Sequence, residues 1–165
     1  MRVRVRRHLR RRQTKEPEAA VRAAVHTLER LNAAKDLESV CHVELSKQDS
    51  QVLPPPGGFR RGHCSIVNIE PADVKDEVEC VTTLEHEAIH TRDVMDRGED
   101  GINKKAEILA HHKTIGFLQQ WSKREKTGRS VWCSLHKRDE EIRNRIAEVV
   151  DEEHDSIKVL EAEDG

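Results

Sequence analysis

The sequence has no tyrosine and few other aromatic residues: its 165 residues include two phenylalanines and two tryptophans. A core built from this chain must therefore consist mainly of valine, leucine, isoleucine and alanine side chains. The basic N-terminal stretch also lacks interleaved aromatic rings on which nucleic-acid bases could stack.

Long apolar runs are absent as well. No stretch approaches the roughly 18 apolar residues of a membrane span, and the arginine-rich start lacks the apolar segment of a secretory signal. We therefore expect a soluble, cytoplasmic protein with no membrane partner. An organellar transit peptide is the alternative for so basic a leader.

The cysteines show none of the spacings of a structural zinc site. No two of them form a C-x-x-C pair among Cys41, Cys64, Cys80 and Cys133. Free buried thiols in a reducing cytosol are the simplest interpretation, and a disulfide is the alternative.

Charge is abundant and unevenly spread. Charged residues make up 36% of the chain and the net charge is only -2, yet the chain begins MRVRVRRHLRRR and ends VVDEEHDSIKVLEAEDG. This asymmetry predicts a basic disordered arm over residues 1–15 and an acidic C-terminal tail. Contact between the arm and nucleic acid is the alternative to a purely solvated arm.

Hydrophobic periodicity divides the first half of the chain into one helix and two strands. Residues 16–36 carry an apolar stripe at helical spacing, formed by Val21, Val25, Leu28 and Leu31. A strand follows, in which Cys41, Val43 and Leu45 alternate with His42 and Glu44. The proline- and glycine-rich stretch QVLPPPGGFRRG predicts a loop, and HCSIVNIEP a second strand.

The second half of the chain is predicted to be helical. One helix opens at Pro71-Ala72-Asp73 and runs to about Met95, the next covers INKKAEILAHHKTIGFLQQWSKREK, and the last starts near His136. The expected fold class is α+β, mainly helical, with a two- to three-stranded sheet packed on the first of these helices. Residues 16–135 would form one domain, followed by a C-terminal helix over residues 136–165.

The first of these helices contains His86-Glu87-Ala88-Ile89-His90, an H-E-x-x-H motif. Residues four apart lie on one face of a helix, so His86 and His90 can bind one metal ion. Glu87 lies on the flank, where its carboxylate can deprotonate a water instead of binding the metal. An apolar stripe through Leu84 and Ala88 favours a rigidly packed site over the alternative, two exposed histidines on an acidic helix.

A catalytic zinc usually has three protein ligands, so a third must come from elsewhere. Glu107 is the preferred candidate, because the turn at DRGEDG lets the next helix fold back on the motif helix. Asp96 is the alternative, at the spacing H-E-x-x-H-x-x-G-x-x-Asp. Asp93, however, occupies the glycine position of that pattern, so the helix should continue past the metal.

His111 lies one helical turn beyond Glu107 and is predicted to stabilise an oxyanion or to support the ligands. The alternative for His111 and His112 is an ordinary, partly buried imidazole.

These features together resemble the gluzincin branch of zincin metallopeptidases, in particular short single-domain bacterial and phage versions. The resemblance covers residues 63–121 and rests on His86, Glu87, His90, Glu107 with Ala110, and Phe117-Leu118. It implies that His86, His90 and Glu107 bind zinc and that Glu87 is the general base. Many members use a tyrosine for the oxyanion, which this chain lacks, so that role would fall to an imidazole or to Arg92.

The expected function is therefore zinc-dependent cleavage of peptide bonds by activated water, with Glu87 as base and His111 or His63 assisting. An extended peptide substrate would pair with the edge of the strand Ser65 to Ile69. The alternatives are a non-catalytic, zinc-stabilised module that binds nucleic acid or a protein through its basic arm, and a structural protein with incidental histidines.

Overall fold

The computed structural model describes residues 3–5, 11–31, 34–55, 58–98, 103–127 and 133–162. Its strands are β1 (Val3–Val5), β2 (Val40–Leu45), β3 (Gln51–Leu53) and β4 (Ser65–Ile69). Its helices are α1 (Arg11–Arg30), α2 (Ala34–Leu37), α3 (Glu77–Arg97), α4 (Lys104–Thr127) and α5 (Cys133–Ala162), with a 3-10 turn at Pro71–Asp73. The mixture of a small sheet and long helices confirms the α+β prediction.

The strands form one mixed sheet in the order β1-β2-β4-β3. Strand β2 pairs in parallel with β1 and β4, and β3 pairs antiparallel with β4. Helices α1 and α3 pack on each other, and α3 packs on β4. The predicted stripe on α1 is largely buried, since Val21, Leu28 and Leu31 belong to the core. His42, which alternates with the apolar residues of β2, is buried as well.

The prediction of a disordered arm over residues 1–15 is wrong for two of its segments. Val3–Val5 forms strand β1, because β2 offers it a free edge and its residues alternate as a strand requires. Helix α1 begins at Arg11, since the arginine, glutamine, lysine and glutamate residues before Pro17 are good helix formers. Residues 6–10 lie outside the described part of the chain.

The predicted loop QVLPPPGGFRRG begins with a strand instead. Gln51–Leu53 pairs with Asn68, Val67 and Ile66 of β4, and the prolines that follow stop the pairing. As a result β4 has β2 on one side and β3 on the other. The prediction that a substrate pairs with the edge of Ser65–Ile69 is therefore wrong, and β3 is the edge strand on that side.

Helix α3, which carries the motif, begins later than the sequence predicted. Pro71–Asp73 forms a separate 3-10 turn, and Asp76 then caps the helix by accepting a 2.8 Å hydrogen bond from the backbone N–H of Glu79. The helix ends at Arg97 because Gly98 has a φ of 71°, a conformation that glycine adopts without strain.

The chain divides into two compact units, Met1–Glu107 and Ile108–Gly165. The predicted boundary at residues 135 and 136 lies inside the second unit, because α4 and α5 bury Leu118, Trp121, Ile146 and Val149 in its core. In the described part of the chain, none of the helices combines the length and the apolarity that a bilayer crossing requires.

The prediction of free thiols is wrong for two of the cysteines. Cys41 and Cys64 form a disulfide, with a Cα–Cα distance of 5.2 Å. The parallel pairing of Val40 with Ser65 brings them together, although their separation of 23 residues in sequence gives no sign of it. Cys80 is a free, buried thiol, and burial together with nearby carboxylates raises its pKa to about 12. The side chain of Cys133 lies outside the described part.

We expect the double variant Cys41→Ser and Cys64→Ser to lower the free energy of unfolding. Closing a loop over a separation of 23 residues restricts the unfolded chain by about 3 kcal/mol. Denaturant titration of both proteins with and without a reductant would measure the difference. A reductant should destabilise only the wild-type protein, and equal stability of the two oxidised proteins would contradict the disulfide.

Candidate metal centre

Helix α3 holds the two histidines of the motif on one buried face. His86 is 9% exposed and His90 is 7% exposed, and their neighbours Leu84 and Ala88 are fully buried. The Nε2 atoms of the two imidazoles are 3.1 Å apart. The helix therefore presents both nitrogens side by side, as the spacing of four residues predicted.

Glu107, in the first turn of α4, completes a group of three. Asn103 begins that turn by accepting a hydrogen bond from the backbone N–H of Ala106. The Glu107 Oε1 atom is 3.0 Å from His86 Nε2, and its Oε2 atom is 2.9 Å from His90 Nε2. These three residues are placed so that they could hold a metal ion.

The donor set and its spacing fit zinc. Two imidazole nitrogens and one carboxylate at about 2.0–2.2 Å from a tetrahedral zinc ion would lie about 3.3 Å from one another. The observed distances of 2.9–3.1 Å require only a small expansion. His90 Nδ1 is buried and has no hydrogen-bond partner among the described residues. This ring is therefore held by packing, and not by the second hydrogen bond that histidine ligands of metals commonly make.

Electrostatics at this group favour a bound cation. Burial lowers the pKa of His90, but its hydrogen bond to the Glu107 carboxylate and the charges of Glu107, Glu87 and Asp93 together raise it above its ordinary value. Hydrogen bonds from His86 and His90 hold the pKa of Glu107 well below its usual range. The same negative charges that favour a proton on His90 would favour a metal ion in its place.

The alternative third ligand, Asp96, is not part of this group. Its side chain is 65% exposed and lies 3.9 Å from Arg92 Nε. Arg92 also donates a 3.1 Å hydrogen bond to the carbonyl of Lys35. The structure thus brings Glu107, and not Asp96, to the two histidines.

A cavity of about 400 Å³ opens beside the candidate ligands and contains Glu87 in its wall. Glu87 is 8% exposed. The remaining wall comes from the loop before β3, from β3 itself and from the segment after it, with residues Ser50, Gln51, Val52, Leu53, Pro54 and Phe59. The sequence predicts a plain loop for this stretch. Only the pairing of β3 with β4 places the stretch against the motif helix.

Two further residues, His63 and His111, are predicted from the sequence to assist at the site. His63 is exposed on the loop before β4 and is not among the residues that line the cavity. His111, in the second unit, has its Nδ1 atom 2.6 Å from a carboxylate oxygen of Glu153 on α5. An oxyanion role for His111 stays a prediction.

A buried acid that the sequence did not single out, Glu85, precedes the motif on α3. It is 4% exposed, and its Oε2 atom has no hydrogen-bond partner among the described residues. Burial, and secondarily the charge of Asp36, raises the pKa of this carboxyl group to about 8. It does not line the cavity.

We expect Glu85→Gln to stabilise the protein at neutral pH. Because folding raises the pKa of Glu85 from 4.5 to about 8, the wild-type protein loses stability as the pH rises through this window. The loss has a slope of roughly 1.4 kcal/mol per pH unit, and glutamine removes it. Urea titrations with a chelator present, between pH 4.5 and 8, would measure the difference; parallel curves for the two proteins would contradict the prediction.

Compared with known proteins, the chain matches no family model, no curated protein and no solved structure.

Proposed function

We propose that this protein is a zinc-dependent peptidase. The observation that supports it is the convergence of His86, His90 and Glu107 within 2.9–3.1 Å of one another, beside a cavity whose wall includes a buried glutamate that is not part of the triad. Three protein ligands with a fourth position left for water distinguish a catalytic zinc site from a structural one, which has four.

The four residues divide between two tasks in this proposal. His86, His90 and Glu107 would hold the zinc ion, which when bound lowers the pKa of a coordinated water to about 7 and polarises a carbonyl group. Glu87 accepts the proton of the attacking water and returns it to the leaving amine. The burial of Glu87 keeps its carboxylate away from bulk solvent, where competing hydrogen bonds would weaken its action.

The cavity fits an extended peptide. Strand β3 is the edge of the sheet, so a peptide can add to it as a further strand, with hydrogen bonds between the main chains. Val52, Leu53 and Phe59 make part of the wall apolar, which favours an apolar side chain next to the cleaved bond. In this proposal the substrate pairs with β3, and not with β4 as the sequence predicted.

The proposal is tested by peptide cleavage with and without zinc. Protein loaded with one equivalent of zinc should cleave unfolded casein, and sequencing of the new termini should show apolar residues at the cut sites. Incubation with 1,10-phenanthroline should abolish the cleavage, and added zinc should restore it. Cleavage that survives removal of the metal would contradict the proposal.

We expect Glu107→Gln to weaken zinc binding and Asp96→Asn to leave it unchanged. Glutamine keeps the size of the side chain but removes the charge that the metal requires. The loss for Glu107→Gln should exceed the roughly 10–100-fold cost of removing a supporting hydrogen bond. Competition titration against a zinc-sensitive dye measures both affinities, and a larger loss for Asp96→Asn would reassign the third ligand.

Two further properties stay predictions. Binding of nucleic acid by the basic N-terminal residues would be salt-dependent, and it would be lost when those residues are deleted.

The cytoplasmic location also stays a prediction. The disulfide between Cys41 and Cys64 argues against it, because such bonds persist mainly in oxidising compartments.

A further inference from the structure

We propose that Asn68 is a positioning residue for the substrate, because it fixes the loop that leads into the edge strand β3. This inference rests on the proposed peptidase function and adds to it a residue that touches neither the candidate ligands nor the cavity. Asn68 lies on β4, and its side-chain amide is fully buried.

The Asn68 side chain uses both of its donors on the loop between β2 and β3. Its Nδ2 atom donates to the carbonyl of Gln48 at 2.8 Å and to the carbonyl of Asp49 at 3.0 Å. Its Oδ1 atom accepts a hydrogen bond from the hydroxyl of Ser46 at 2.7 Å. One side chain thus satisfies two successive carbonyls of a loop that makes a tight change of direction.

A second contact joins the end of this loop to the end of β4. The backbone N–H of Glu70 donates to the Ser50 hydroxyl at 2.9 Å. Ser46 adds a third contact, since its backbone N–H donates to the carbonyl of Ile69. Residues 46–50 are therefore held against β4 at both ends, with Asn68 between them.

The edge strand needs this support because it is short. Strand β3 has three residues and is followed directly by Pro54 and Pro55, whose nitrogens cannot donate to a ladder. A slip of one residue in its register would turn Val52 away from its present side of the sheet. Because β3 follows the loop at once, the position of Gln48 and Asp49 sets where Gln51 meets its partner Asn68.

Asn68 supports only one part of the candidate site. Asn68 holds β3, and β3 is the part of the cavity that would pair with an extended peptide. His86, His90 and Glu107 belong to α3 and α4, and none of them makes a described hydrogen bond with Asn68. Loss of the Asn68 amide should therefore weaken contacts with the peptide and spare contacts with the metal.

The test compares two probes on zinc-loaded protein by calorimetric titration. Acetohydroxamate binds the metal alone, whereas the hydroxamate of the tripeptide Ala-Ala-Leu also offers a main chain to β3. Asn68→Asp keeps the shape of the side chain but replaces its donors with an acceptor. We expect it to weaken binding of the tripeptide hydroxamate about tenfold or more, and to leave acetohydroxamate affinity unchanged.

Hydrogen exchange gives a readout that is independent of ligand binding. Amides of residues 46–53 should exchange faster in Asn68→Asp than in the wild-type protein, while those of α3 keep their rates. Val67→Ala is the matched control, because it lowers stability from the neighbouring position on β4 without removing these hydrogen bonds. If Asn68→Asp does not fold, Ser46→Ala should produce the same selectivity in smaller measure.

The outcomes separate this inference from the function on which it rests. A loss of affinity for the tripeptide hydroxamate alone supports the role of Asn68. If each probe binds the variant as tightly as it binds the wild-type protein, or if the exchange of residues 46–53 is unchanged, the role of Asn68 is overturned and the peptidase proposal stands. Failure of both probes to bind the wild-type protein would overturn the peptidase proposal, and the role of Asn68 with it.

Discussion

Replacing Glu87 by glutamine should abolish peptide cleavage and leave zinc binding intact. Glutamine has nearly the same size and keeps the buried position, but it cannot accept the proton of the attacking water. General-base catalysis contributes about 10²–10⁴-fold, so kcat should fall by that factor. Steady-state cleavage of a fluorogenic peptide, with zinc content measured on the same samples, would test this expectation.

The matched control for this substitution is Glu85→Gln. Glu85 lies on the same helix and is equally buried, but it does not line the cavity. The two variants make the same chemical change, so any general effect of replacing a buried carboxyl group of α3 by an amide is common to both. If Glu87→Gln kept its kcat, or if Glu85→Gln lost activity to the same extent, Glu87 would not be the base.

Removal of both motif histidines should eliminate the metal. In the double variant His86→Ala and His90→Ala only Glu107 of the proposed ligands remains, and one carboxylate does not retain zinc against dilution. The wild-type protein should purify with about one zinc per chain, and the variant with almost none. Metal analysis by mass spectrometry after dialysis measures the difference.

Thermal unfolding provides a second measure of the same loss. Zinc at 100 times its dissociation constant should stabilise the wild-type protein by about 2.7 kcal/mol, because it binds the folded state. It should not raise the melting temperature of the double variant. His26→Ala with His112→Ala is the matched control, since both histidines are exposed on helices and neither lines the cavity. An equal zinc effect on all three proteins would assign the metal to another site.

Several features of this protein could be predicted from local sequence patterns. The spacing of His86 and His90 is one helical turn, so their meeting on one face required only that the segment be a helix. The apolar period of α1 likewise identifies its buried face. The absence of a glycine at Asp93 favours Glu107 over Asp96. The α+β class followed from the same patterns.

Other features depend on contacts between segments that are distant in sequence. The pairing of Val40 with Ser65 places Cys41 beside Cys64, and no spacing rule gives that pair. Val3–Val5 became a strand because β2 provided an edge, and the β3 segment became one because β4 did. A strand satisfies its backbone hydrogen bonds only by pairing with another strand. A segment of three residues is also too short for its alternation to predict a strand.

The sequence by itself determined that His86 and His90 lie together, because an α-helix closes its hydrogen bonds within one segment and fixes the geometry of residues four apart. Only the tertiary structure decided the approach of Glu107 to these histidines and the wall of the cavity beside them. The edge strand, the Asn68 hydrogen bonds behind it and the place of Phe59 in the cavity wall all arise from the packing of β3 on β4. Such non-local pairing depends on which strands the whole chain brings together, and local periodicity does not encode it.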